Sequence, residues 1–184
     1  MMDKEQCVLA SGGLRGAESA FGEAAERWGI KEVIFNFEGH ILARERPGCV
    51  VLLSEEELLR GNISMELASK LMHRTYYEAD KIRKVLQLIF HMVNNGHQVF
   101  VVGTILPDNT VKGGTGWAAE LAKLFNRPLS VFDQAQEQWF SWRAGAWHAD
   151  NPRIEHPTFV GTGTRNLTAA GLQAIESLFA ASFI

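Results

Sequence analysis

An α/β fold, with a mostly parallel sheet covered by helices on both faces, is what this sequence predicts. Three observations predict it. Short apolar runs of strand length alternate with stretches of helical periodicity, glycine turns lead into helices, and no repeat, low-complexity tract or linker interrupts the alternation. At 184 residues, 46% of them hydrophobic, the chain has the size and apolar content of one domain, 1–184, with a sizeable core.

The elements follow in order. Gln6 to Ser11 reads as the first strand, and Ser11-Gly12-Gly13-Leu14-Arg15-Gly16 as the turn after it. Ala17, Ala20, Phe21, Ala24 and Trp28 then recur at helical spacing until Gly29 stops the helix. Val33 to Phe37 reads as a second strand and Cys49 to Leu53 as a third. The third runs into Ser54-Glu55-Glu56-Glu57, a capping-box pattern for a short helix that Gly61-Asn62 ends. Ile63 to Thr75 reads as helix with Met65 and Met72 in the core. Ile82, Val85, Leu86, Ile89 and Val93 mark a longer amphipathic helix stopped at Asn95-Gly96.

Gln98 to Gly103 returns to strand. Gly113-Gly114-Thr115-Gly116 opens a helix carrying Ala118, Leu121, Ala122 and Phe125 on one face, and Leu129 to Asp133 is the next strand. The polar turn Gln134 to Glu137 before Trp139-Phe140-Ser141-Trp142 predicts an aromatic hairpin near 129–147. Trp139, Trp142 and Trp147 read as hairpin packing, a subunit contact or a base-stacking surface. Thr158 to Val160 is a last strand, followed by Gly161-Thr162-Gly163-Thr164-Arg165. A final helix starts after Thr168 as N-cap, with Leu172, Ile175 and Phe179 inward.

Charge and composition exclude several classes. Lys and Arg total 18 against 21 Asp and Glu, so a net charge of −3 carries no strong signal for nucleic acid or an anionic membrane. No apolar run is long enough to span a bilayer, and the start of the chain lacks a signal-peptide pattern, which reads as a cytoplasmic protein. Cys7 and Cys49, both in apolar runs, read as reduced core thiols, and no metal site is predicted.

The two glycine turns are the chemical signal. A strand that turns through glycines into a helix presents unpaired N–H groups and the positive end of the helix dipole, which attract an anion. Ser11, Gly12, Gly13, Arg15 and Gly16 form one such candidate phosphate cradle, and Gly113, Gly114, Thr115 and Gly116 the other. Each residue has a second reading: the glycines as tight-turn residues, Arg15 as a surface charge, Thr115 as a helix cap. Glu18, His40, Asp133, Thr164 and Arg165 fall near the same predicted sheet edge and are candidate ligand contacts. For Asp133 the alternative is capping the following turn; for Arg165 and His40 it is a solvated or structural role.

Three short motifs resemble known families. Gly113-Gly114-Thr115-Gly116-Trp117-Ala118-Ala119-Glu120 resembles the GGxGTxxE element of the LOG-type cytokinin phosphoribohydrolases, with Trp117 where that motif has Thr. Ser11 to Glu18 is similar to the SGGAxGAD turn of YpsA-like proteins, with Glu18 in place of Asp. Gly163-Thr164-Arg165 with Leu167, Thr168 and Gly171 is similar to an element of the DNA-processing protein A family. Together these resemblances point to the SLOG superfamily of Rossmann-like nucleotide-binding domains. They imply a nucleotide as ligand or substrate, no required cofactor, and a homodimer or larger homo-oligomer.

Carried over residue by residue, the LOG resemblance implies Glu120 and Arg74 as the catalytic pair of a nucleoside-monophosphate phosphoribohydrolase. A carboxylate there stabilises oxocarbenium character or activates water, and an arginine holds phosphate or polarises the ribose. The alternative for Glu120 is a carboxylate opposing its own helix dipole. Three functions follow: a nucleotide-binding module, the N-glycosidic hydrolase, or an oligomeric scaffold with a vestigial pocket. In this reading the first turn, with Arg15, holds the ligand, and the second supplies the carboxylate.

Overall fold

The computed structural model describes residues 2–183. Its eight strands are β1 (Val8–Ser11), β2 (Lys31–Phe37), β3 (Val50–Leu53), β4 (Gln98–Gly103), β5 (Leu129–Asp133), β6 (Gln138–Arg143), β7 (Ala146–Ala149) and β8 (Thr158–Gly163). They form one sheet in the order β3-β2-β1-β8-β4-β5-β6-β7. Pairing is parallel from β3 through β5 and antiparallel for β5 with β6 and β6 with β7. The expected α/β architecture with a mostly parallel sheet is therefore present.

Six helices accompany the sheet: α1 (Ala17–Trp28), α2 (Glu55–Leu59), α3 (Asn62–Met72), α4 (Asp80–Asn95), α5 (Thr115–Leu124) and α6 (Ala169–Phe183). Two cores divide them. On one face α2 to α5 pack over Val99, Val101, Leu129 and Val131; on the other α1 and α6 pack over Phe100, Val102, Leu9 and Phe159. Alternation along β4, Val99 and Val101 to one side and Phe100 and Val102 to the other, is the strand period placing successive side chains on opposite faces. No helix among the described residues is long and apolar enough to cross a membrane.

Local signals set the helix ends. Ser54 and Glu57 form a complete capping box at α2, Gly29 ends α1 in the left-handed region, and the Thr168 hydroxyl accepts the Gly171 N–H at the start of α6. Other expectations are corrected. Gly61 does not simply end a helix, because α3 begins at Asn62 immediately after it. Leu172 lies 42% exposed while Ile175 and Phe179 are buried, since α6 presents a narrower stripe to the sheet than its apolar residues suggest. Cys49 is only half-buried, whereas Cys7 is in the core.

The order of strands positions the site. From β1 the chain moves through β2 to β3 on one side, and from β4 it moves through β5 to β7 on the other, while β8 returns to fill the gap between β1 and β4. The side on which successive strands are added reverses there, and a crevice opens at the carboxyl ends of the parallel β1, β8 and β4.

Candidate functional site

A cavity of about 570 Å³ occupies that crevice. Gly12 enters from the end of β1, Thr162 to Asn166 from the end of β8, Gly103 and Thr104 from the end of β4, and Lys112 to Thr115 from the loop leading into α5. Val85, Leu86, Leu88, Ile89 and Met92 of α4 make an apolar wall. One side of the cavity is thus polar and the other hydrocarbon. This is the common composition of small-molecule sites, where apolar walls supply contact area and a few polar groups fix orientation.

The two glycine turns differ in what already fills them. At the first, the Ser11 hydroxyl accepts the Gly13 N–H at 3.2 Å, the Glu18 carboxylate accepts the Leu14 N–H at 3.0 Å, and the Thr164 carbonyl accepts the Ala17 N–H at 3.0 Å. Three N–H groups of this strand-to-helix turn are thus taken by the protein's own oxygens, while those of Gly12, Arg15 and Gly16 find no protein acceptor among the described residues. Gly13 takes φ 67°, and its carbonyl accepts the N–H groups of Ala43 and Arg44. Gly13 therefore docks the segment that carries His40, a segment also clamped by Arg44 onto the buried Glu32 at 2.8 and 2.9 Å. Of the first cradle only Gly12 reaches the cavity wall. Ser11, Gly13, Arg15 and Gly16 do not line it, and Arg15 is exposed.

At the second turn three consecutive N–H groups are free. The N–H groups of Gly113, Gly114 and Thr115 find no acceptor among the described residues, and a Cβ on Gly113 or Gly114 would meet no atom within 4 Å. Unpaired amides at the start of a ten-residue helix carry the positive end of its dipole. Gly116, in contrast, is buried against the Val111 carbonyl and Arg74 and lies outside the cavity.

Glu18, an expected contact, lies at the centre of the polar side. Its side chain is almost fully buried; one oxygen accepts the Leu14 N–H and the other the Thr162 hydroxyl at 2.8 Å. Burial pushes its pKa above the ordinary glutamate value, opposed by those two hydrogen bonds and by the charge of Arg165. His40 also lines the cavity, with its ring stacked on Phe37 at 4.7 Å. The Asn36 side-chain oxygen, which only accepts, faces His40 Nδ1 at 2.9 Å, so Nδ1 carries the proton and the neutral ring keeps Nε2 as an acceptor. Burial, then the positive charges of Lys81 and Arg165, hold the His40 pKa below its usual value. Thr164 and Arg165 line the cavity as expected.

The Arg74 and Glu120 pair is not brought together here. Arg74 donates to the Gly113 carbonyl at 3.0 Å, the Val111 carbonyl at 2.8 Å and the Thr110 hydroxyl at 3.0 Å, so it holds the loop that presents the free amides. Glu120 does not line this cavity; it pairs at 3.5 Å with Lys123, whose ammonium lies over the Trp142 ring. One helical turn separates Glu120 from the free amides, and the rotation of α5 carries it toward β6 and β7 instead. Asp133 is also outside the cavity. It is 1% exposed and accepts the N–H groups of Ile105, Ala135 and Gln136, which is the turn-capping alternative. Trp139 packs on Phe100 and Phe132, and Trp142 on Trp147, away from the cavity.

Comparison with protein-family models, with curated proteins and with solved structures finds no match for this chain. The site residues therefore carry the functional reading.

Several of those residues had no motif to announce them. Lys112 stands next to the glycines and Thr162 two residues before the Thr164-Arg165 pair, so adjacency to a glycine turn was their signal. The α4 wall had the periodicity of a core helix, which is indistinguishable in sequence from one whose stripe borders a cavity.

Proposed function

We propose that this chain is a Rossmann-like domain of the SLOG type that binds a phosphorylated nucleoside in the cavity at the carboxyl edge of its sheet. The observation that carries the reading is the juxtaposition of three unpaired amides, Gly113 to Thr115, with an apolar wall from α4 across one cavity. A nucleoside monophosphate has the same two-ended chemistry. Its phosphate takes the amides and the dipole of α5, with Lys112 and Arg165 supplying positive charge. Its base lies against Val85, Leu86 and Ile89, and its ribose hydroxyls face the Glu18 carboxyl and the acceptor nitrogen of His40.

Isothermal titration and thermal unfolding with AMP, GMP, CMP and UMP test this reading. A nucleotide present at a hundred times its dissociation constant stabilises the fold by about 2.7 kcal/mol, raising Tm by roughly 5–10 °C. Lys112→Glu is expected to weaken binding by about tenfold or more, through lost attraction and added repulsion near the phosphate. Absence of stabilisation by all four nucleotides at millimolar concentration would remove the proposal. Glu120→Gln, in contrast, is expected to leave nucleotide affinity unchanged within about twofold, because only the exchange with Lys123 is altered. A tenfold loss in that variant would return the LOG-type assignment of Glu120 to consideration.

A further inference from the structure

A second cavity, of about 440 Å³, lies on the other side of the Gly113-Gly114 turn. It shares Leu86, Gly113 and Gly114 with the first, so the turn is a common ridge between the two. The side chains beyond the ridge are of a different kind. Tyr77 and Ile82 are 53% and 49% exposed, Trp117 forms the floor, and Arg74 and Thr75 stand at the rim. The described residues leave this aromatic and aliphatic surface open to solvent, beside the free amides.

From this arrangement we infer that the ligand does not end at the ridge: it is a nucleoside diphosphate conjugate whose second ring-bearing half occupies the Tyr77 cavity. The inference rests on the reading of the first cavity as a nucleotide site. The Gly113 and Gly114 amides lie between the two cavities, where a diphosphate linker joins two halves, with the Thr115 amide on the first-cavity side. Neither Gly113 nor Gly114 has an atom within 4 Å of where a Cβ would project, so the backbone is approachable by a bridging group. Lys112 adds a cation at the first cavity and Arg74 one at the second, which suits an anion centred on the ridge. Beyond the ridge the exposed Tyr77 ring offers a stacking face, and Ile82 and Leu86 offer hydrocarbon contact for a flat second ring.

Arg74 also has a positioning role in this arrangement. By donating to the Gly113 carbonyl it holds that oxygen toward itself, and in a trans peptide the unpaired Gly114 N–H then points the opposite way. The ridge therefore presents donors to a diphosphate.

The test is titration of the intact chain with AMP, ADP and NAD⁺, repeated with Tyr77→Ala and with Ile82→Asn. Both positions are half-exposed, so both variants are expected to fold. NAD⁺ is expected to bind about tenfold or more tightly than ADP. Each substitution is expected to remove that advantage while leaving AMP affinity within about twofold. The inference is overturned if NAD⁺ binds no more tightly than ADP, or if both variants keep its full advantage. It is also overturned if either variant weakens AMP as much as NAD⁺, since the second cavity would then not be a separate subsite. Failure of all three compounds to bind overturns the nucleotide reading itself, whereas AMP binding without an NAD⁺ advantage leaves that reading standing.

Discussion

Replacing Glu18 with alanine is expected to destabilise the fold by about 3–5 kcal/mol, the largest loss among single changes at the site. The carboxyl is the side-chain acceptor for two groups, the half-buried Leu14 N–H and the buried Thr162 hydroxyl. Without it, the Leu14 N–H and the buried Thr162 hydroxyl lose their partner, and a void opens between α1 and β8. Each unsatisfied buried donor costs about 1–3 kcal/mol, and the missing methylenes add to it. Urea unfolding of the two proteins measures the difference; a loss below about 1 kcal/mol would mean that water or a rearranged turn replaces the carboxyl.

Glu18→Gln separates the shape of that side chain from its charge. Burial raises the folded-state pKa of Glu18 above its unfolded value. The unfolded chain therefore ionises first as pH rises, and the folded state is left binding more protons. The stability that Glu18 contributes is complete below the unfolded-state pKa and is lost as pH rises toward and through the raised folded-state value. Unfolding free energies measured from the ordinary glutamate range upward should thus decline more steeply in the wild type than in Glu18→Gln. Parallel profiles would show that the carboxyl is not held in its neutral form by the fold.

The second large effect is expected from Gly16→Ala. Gly16 adopts φ 92° and ψ −126°, and an added Cβ would run into the Thr164 carbonyl oxygen and lie 2.7 Å from the Arg165 Cα. Both the backbone conformation and the contact oppose any side chain. Thr164 and Arg165 are cavity wall, and the Thr164 carbonyl is bonded to the Ala17 N–H, so relief of the clash pushes that wall away from α1. A loss of about 2–4 kcal/mol is expected, with nucleotide affinity reduced about tenfold or more. Gly114→Ala is the matched control. Its φ of −60° and ψ of −30° suit an alanine, open space surrounds it, and the cost should stay within about 1 kcal/mol. Equal losses in the two variants would contradict the assignment of different jobs to the two glycine turns.

Those two turns also show how far the sequence could be read. Both have glycines leading into an Ala-rich helix, and on that pattern they looked alike, with Arg15 marking the first as the ligand holder. The structure distinguishes them on other grounds. At the first the Gly13, Leu14 and Ala17 N–H groups are taken by Ser11, Glu18 and Thr164, while at the second those of Gly113, Gly114 and Thr115 are free; the carboxyl that lines the cavity is Glu18, and Glu120 pairs with Lys123. Thr164 lies almost the whole chain away from Gly16, and no local pattern announces that its carbonyl will reach the Ala17 N–H. Likewise the periodicity of α5 located Glu120 on a helix but not the face of that helix that meets the cavity.

What the sequence by itself determined are the features decided within a few residues. Apolar runs specified where most strands lie, and the Ser54–Glu57 box, Gly29 and Thr168 marked helix ends, because capping and left-handed turns are satisfied by neighbours in the chain. The tertiary structure alone decided that β8 enters between β1 and β4, that α4 walls the resulting crevice, and which N–H groups of the two glycine turns find acceptors. Hydrogen-bond donors are spent on whichever acceptor the packed chain brings nearest, and that acceptor is chosen by the fold, not by sequence distance.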